Sequence, residues 1–125
     1  MTAPRLLVYG ANGYTGALIA REAARRGLAP ILAGRSAGPV EAIANELGCE
    51  ARIAALDDAA AVDRLLRDVS VVLHCAGPFG ATAAPMVRAC LRAGVHYLDI
   101  TGEIDVFEAV HSLDGEARSA GVVLC

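Results

Sequence analysis

The chain has 125 residues and 12.8 kDa, with 55% hydrophobic and 20% charged residues, a net charge of −3 and a pI of about 5.5. That length supports one compact domain with its own core, and that composition excludes disorder. With no basic stripe, the sequence argues against nucleic-acid binding and against docking on an anionic membrane, and no apolar run is long enough to span a bilayer.

Met1-Thr2-Ala3-Pro4-Arg5 leads straight into an apolar strand and lacks the shape of a signal peptide, which predicts a cytoplasmic protein. The first strand covers Arg5 to Tyr9 and breaks into Gly10-Ala11-Asn12-Gly13-Tyr14-Thr15-Gly16. An Ala-rich helical pattern follows from Tyr14 to Arg26 and stops at Gly27. A second strand, Pro30 to Ala33, runs into Gly34-Arg35-Ser36, and a helix over Pro39 to Leu47 stops at Gly48. The third strand is Glu50 to Ala55, after which Asp57-Asp58 opens a helix with acids at its positive end. The fourth strand, Ser70 to Cys75, ends in Ala76-Gly77-Pro78-Phe79 with a turn closing at Gly80. A helix over Ala83 to Ala93 carries Pro85 in its first turn and stops at Gly94. The fifth strand begins at Val95 and reaches Leu98 or slightly further. A fifth helix starts at Thr101 or Gly102 and ends near Ala120, and Val122 to Cys125 reads as a sixth strand.

Six strands alternating with five helices predict a doubly wound α/β Rossmann fold. Its parallel sheet would be covered on both faces, in the order 3-2-1-4-5-6. A closing interior-type strand suggests the first domain of a longer polypeptide; a free-standing domain ending in a strand is the alternative.

Three glycines spaced three apart, between a strand and a helix, present bare backbone N–H groups to a pyrophosphate. Gly10 permits the tight turn, Gly13 lets backbone approach the phosphates, and Gly16 lets the helix pack closely on the sheet. The spacing is G-x-x-G-x-x-G rather than G-x-G-x-x-G. Arg35 stands 19 residues past Gly16, near where an NAD-binding domain carries an acid for the ribose 2′-hydroxyl. A guanidinium there, beside the Ser36 hydroxyl, suits a 2′-phosphate, so the expected cofactor is NADP. The bland reading of Arg35 is a solvated surface cation. Asp57 borders the adenine end or, with Asp58, caps a helix. In this topology Ala76, Gly77, Pro78 and Phe79 follow a strand flanking the switch point. Gly77 would pass the cofactor ribose and Phe79 would wall the nicotinamide; a plain Gly-Pro turn is the alternative. Asp99 and Glu103 lie at the next strand end, where a carboxylate orients substrate or, with Thr101, merely starts a helix.

All eleven basic residues are Arg, so neither a Schiff-base lysine nor a Tyr-x-x-x-Lys pair exists in these residues. Cys49, Cys75, Cys90 and Cys125 lack metal or redox spacing and read as reduced thiols. His74, His96 and His111 lack ligand spacing, so no metal is expected. Tyr9 reads as packing.

VYGANGYTG, LAGRS, VVLHCAGPF and HYLDITGE, in that order along the whole chain, resemble the NADP-binding domain of saccharopine dehydrogenase-like oxidoreductases. The AGRS and YLDITGE strings look closer to the trans-acting enoyl reductase-like relatives. The resemblance implies a two-domain enzyme acting on a small-molecule substrate. The second domain, absent here, would supply most substrate contacts and a homodimer interface. Hydride would pass between nicotinamide and a C=N, C=O or C=C bond, and this domain alone would catalyse nothing. Two alternatives remain at this point: a non-catalytic NADP sensor, and an extended short-chain dehydrogenase-type domain.

Overall fold

The computed structural model describes residues 4–125; Met1-Thr2-Ala3, within the N-terminal stretch read for targeting, lie outside them. Strands β1 (Leu6–Tyr9), β2 (Ile31–Gly34), β3 (Ala51–Ile53), β4 (Val71–His74) and β5 (His96–Asp99) form one parallel sheet in the order β3-β2-β1-β4-β5. Central β1 pairs Val8 with Leu32 on one side and with Leu73 on the other. On β4, His74 lies beside both Tyr9 and Asp99.

Strand side chains alternate between two apolar layers, as the pleat requires. Leu7, Ile31, Val72 and Tyr97 share one cluster, Val8 and Leu32 the other. Helix α1 (Tyr14–Arg25) and α2 (Ala37–Leu47) cover the second layer through Ala20, Ile43 and Ala44. Helices α3 (Ala59–Leu65) and α4 (Phe79–Ala93) cover the first. Ala83, Met86, Val87 and Cys90 give α4 the buried stripe of an amphipathic helix. Among the described residues no helix is long and apolar enough to cross a membrane.

The architecture is the expected Rossmann type, with three corrections. The sheet has five strands rather than six. Residues 122–125 do lie outside β5, but they join it through a single parallel bridge, Tyr97 to Leu124. Three backbone hydrogen bonds hold them there, and Val123 stays 57% exposed. The expected fifth helix is two helices, α5 (Ile104–His111) and α6 (Asp114–Ala120). The Ser112 hydroxyl donates to Ala109 O, and Leu113 turns inward to pack against the core. Helix α4 begins at Phe79, not Ala83, which places Pro85 inside the helix rather than in its first turn. Its early start uses an acceptor from elsewhere: Phe79 N–H donates to Glu103 Oε2 at 3.1 Å.

Candidate functional site

The carboxyl ends of β1, β2 and β4 surround an open cleft of about 620 Å³. Its floor is the turn after β1. Gly10 has φ +85°, a left-handed conformation that L side chains rarely adopt, and its N–H and that of Ala11 both donate to Ala33 O. A Cβ on Gly10 would stand 2.8 Å from Ala76 N, so the turns after β1 and β4 touch. A Cβ on Gly16 would fall 2.0 Å from Gly10 O, a clash that only glycine avoids. The first turn of α1 therefore lies hard against the strand end. Gly13, at its N-cap, provides no side-chain cap. Its leading N–H groups have no intrahelical acceptor, and they carry the positive end of the helix dipole. A turn packed this closely on glycine, edged by N–H groups without an acceptor, fits an anionic diphosphate.

The second wall comes from Gly34, Arg35 and Ser36. Arg35 is exposed and, among the described residues, makes no ion pair. The third wall is Leu56 and Asp57. Asp58 takes the cap of α3, its carboxylate accepting from Ala61 N at 3.0 Å, and this leaves Asp57 on the cleft. Tyr9 underlies both walls. Its hydroxyl donates to Ala54 O at 2.7 Å. Burial pushes the phenol up, Arg35 opposes that shift, and Asp57 adds to it. The far wall is Ala76, Gly77 and Pro78.

Ten of the fifteen positions singled out in the sequence thus line one cleft: Gly10, Asn12, Gly13, Gly34, Arg35, Ser36, Asp57, Ala76, Gly77 and Pro78. The other five do not. Ala11 is buried in the layer beneath, Gly16 is buried under the turn, and Thr15 and Tyr14 face solvent, Tyr14 at 85% exposure. Phe79 lies outside the cleft wall and lines a second, smaller groove between α4 and α5; its ring meets His74 edge-on at 5.2 Å. Asp99 accepts from the Tyr97 hydroxyl at 2.7 Å and from Thr101 N at 3.1 Å, and neither Asp99 nor Glu103 lines the cleft.

Five cleft residues went unnoticed as site residues in the sequence: Tyr9, Cys75 and Thr82, and the small Ala55 and Ala81. Position at a strand's carboxyl end was the available signal for the first two. Burial pushes the Cys75 thiol up to about 11, with Asp99 adding to the shift, so it is no ready nucleophile. Thr82 had no signal, because it reaches the cleft only through the early start of α4.

Residues 6–125 match the family model described as the saccharopine dehydrogenase NADP binding domain. A saccharopine dehydrogenase-like oxidoreductase of Rattus norvegicus is 31% identical over 86% of this chain and 29% of its own length. A trans-acting enoyl reductase of Mycobacterium ulcerans is 32% identical over 79% of this chain and 25% of its own length. The chain thus spans under a third of these curated relatives. Among solved structures, apo saccharopine dehydrogenase (L-Glu forming) from Saccharomyces cerevisiae superposes with a TM-score of 0.83 at 20% identity. That match covers 98% of this chain and 26% of the yeast one. Triphenylmethane reductase of Citrobacter sp., complexed with NADP(H), superposes at 0.73 with 19% identity, covering 95% and 48%. At such identities these likenesses bear on the fold alone.

Proposed function

The chain belongs to the family of saccharopine dehydrogenase NADP-binding domains, and on that premise we propose that its cleft holds NADP(H) for an oxidoreductase longer than these 125 residues. The observation that carries the reading is the uncapped turn of α1 facing the same cleft as the ion-pair-free Arg35. Amides of the Gly10–Gly16 turn without a backbone acceptor among the described residues, including those of Asn12, Tyr14 and Thr15, hold the pyrophosphate. Arg35 forks onto the 2′-phosphate and Ser36 donates to it. Asp57, an acid on the opposite wall, keeps that dianion on the Arg35 side. Leu56 borders the adenine, Gly77 and Pro78 pass the ribose, and Phe79 braces the nicotinamide end from behind. The bound cofactor supplies a hydride; the chain's own residues bind it, orient it and leave one face open to substrate.

In the complete enzyme, hydride passes between the nicotinamide and a C=N, C=O or C=C bond of a small molecule. A further domain provides most substrate contacts and a dimer interface. The isolated domain binds the dinucleotide and turns nothing over. The absence of Lys weighs against the short-chain dehydrogenase alternative within these residues. Unpaired thiols fit a reducing cytoplasmic setting.

Side-by-side calorimetric titration with NADP⁺ and NAD⁺ tests the reading. Binding of NADP⁺ at least about tenfold tighter than NAD⁺ is expected, from charge-assisted bonds to one extra phosphate. Equal affinities, or no binding of either, would sink it.

A further inference from the structure

His74 is fully buried at the end of β4, ringed by Tyr9, Phe79 and Tyr97 with centroids 5.6, 5.2 and 6.1 Å away. Its Nε2 lies 2.9 Å from Thr82 Oγ1, while its Nδ1 is buried with no hydrogen-bond partner among the described residues. A buried orphan of this kind calls for an explanation. Thr82 supplies one. Its Oγ1 sits 2.6 Å from Ala76 O and 3.2 Å from Pro78 O, and carbonyl oxygens only accept, so the hydroxyl proton points to that pair and chiefly to the nearer Ala76 O. Toward His74 the hydroxyl oxygen is then an acceptor, and the imidazole proton is on Nε2. Nδ1 is left as a bare lone pair. An imidazolium would instead bury an N–H with nowhere to point. Burial holds the ring neutral, pulling it from 6.5 to about 4 against the opposing influence of Asp99 and Thr82.

Resting on the cofactor reading above, we propose that His74 is a positioning residue that locks the Thr82 hydroxyl as a pure hydrogen-bond acceptor for the dinucleotide. Thr82 lines the cleft beside Ala76 and Pro78. One lone pair of its oxygen receives Nε2–H, and its proton is committed to the two carbonyls, chiefly that of Ala76. The lone pair that remains selects a donor on the ligand, either a ribose hydroxyl or the carboxamide N–H of nicotinamide. The hydroxyl's contacts with Ala76 O and Pro78 O tie that turn to α4, and the Nε2 bond ties α4 to β4, so the acceptor and the far wall move together.

The test measures NADP⁺ affinity and thermal stability for T82V, T82S, H74F, H74Q and the H74F/T82V double variant. Thr82→Val is expected to weaken NADP⁺ by about tenfold, the worth of one hydrogen bond. Thr82→Ser and His74→Gln, which keep the hydroxyl and a donor, stay within about threefold on the same scale. His74→Phe loses as much as Thr82→Val, and the double variant loses no more than either. The 3-acetylpyridine analogue of NADP⁺, which has a methyl in place of the carboxamide NH₂, distinguishes the two donors. Thr82→Val costs it nothing further if the carboxamide donates, and the same loss of about tenfold if a ribose hydroxyl does. A further readout does not depend on the variants folding. Long-range ¹⁵N–¹H spectra of the imidazole should show the Nε2–H tautomer from pH 8 to 5. An Nδ1–H tautomer, or losses at 74 and 82 that simply add, would overturn the proposal while leaving NADP⁺ binding by the unsubstituted chain intact. Failure of the unsubstituted chain to bind overturns the cofactor reading, and this inference with it.

Discussion

Arg35 carries its charge on the cleft wall without a carboxylate partner among the described residues, so its binding energy is available to a ligand. Arg35→Ala should weaken NADP⁺ by about 10- to 100-fold, the range for hydrogen bonds to charged groups. NAD⁺ should change by less than about threefold on the same affinity scale. Paired titrations check this, and equal losses would mean that Arg35 serves the shared part of the two cofactors. His74 makes a separate prediction about pH. Its pKa is depressed in the fold, from 6.5 to about 4, so the unfolded chain binds its proton first as pH falls. The neutral ring therefore costs nothing above pH 6.5, and stability is lost between 6.5 and about 4. That loss amounts to about 3 kcal/mol at most. Urea melts of the native chain and His74→Gln across that window should diverge as the pH drops, with the variant less acid-sensitive. Parallel curves would place the ring in a wetter setting.

At the scale of elements, two contacts carry measurable weight. Asp58 caps α3 through Ala61 N, and Asp58→Ala should cost about 1 kcal/mol in denaturant melts without touching cofactor affinity. Gly16→Ala is harsher. Its methyl would lie 2.0 Å from Gly10 O, so α1 must move off the strand end, at about 3 kcal/mol and with loss of dinucleotide binding. A Gly16→Ala protein that melts and binds normally would refute that packing. These elements were legible in unequal measure. The inner strands announce themselves as apolar runs, and Gly48 and Gly94 end their helices in the left-handed conformation. The start of α4 was hidden, because its first N–H is satisfied by Glu103, 24 residues later. The break at Ser112–Leu113 was hidden too, since it follows from where Leu113 packs. The same holds for the site. The Gly10–Gly16 turn is a local pattern and could be read directly, as could Arg35. Pairing His74 with Thr82 requires knowing that α4 begins four residues early, and no local pattern carries that. The position of Phe79 was hidden for the same reason, since it is the first residue of a helix rather than part of a turn.

For the molecule as a whole, apolar layers on both faces of the sheet do the stabilising, and charge does little. Eight ion pairs join described residues, and all but one involve side chains at least a third exposed on both partners. Such pairs contribute about 0–1 kcal/mol each and weaken in salt. The exception is Arg52, 18% exposed, which joins Glu50 and also donates to Leu65 O and Arg67 O, clasping β3 to the end of α3. Ligand should matter more than salt. NADP⁺ at a hundred times its Kd should add about 2.7 kcal/mol, seen as a rise of about 10 °C in the melting temperature. No rise at saturation would contradict binding to the native fold.

The 2.8 Å approach between the Cβ position of Gly10 and Ala76 N has a consequence for engineering. Because the two turns abut there, exchanging one half of the sheet for the matching half of another Rossmann domain should succeed only where both turns are exchanged together. A chimera joined between β1 and β4 inherits a steric collision or a gap at that seam. The contacts proposed for Arg35 and Ser36 lie on a separate wall, so substitutions there should shift NADP⁺ against NAD⁺ affinity while leaving the junction undisturbed.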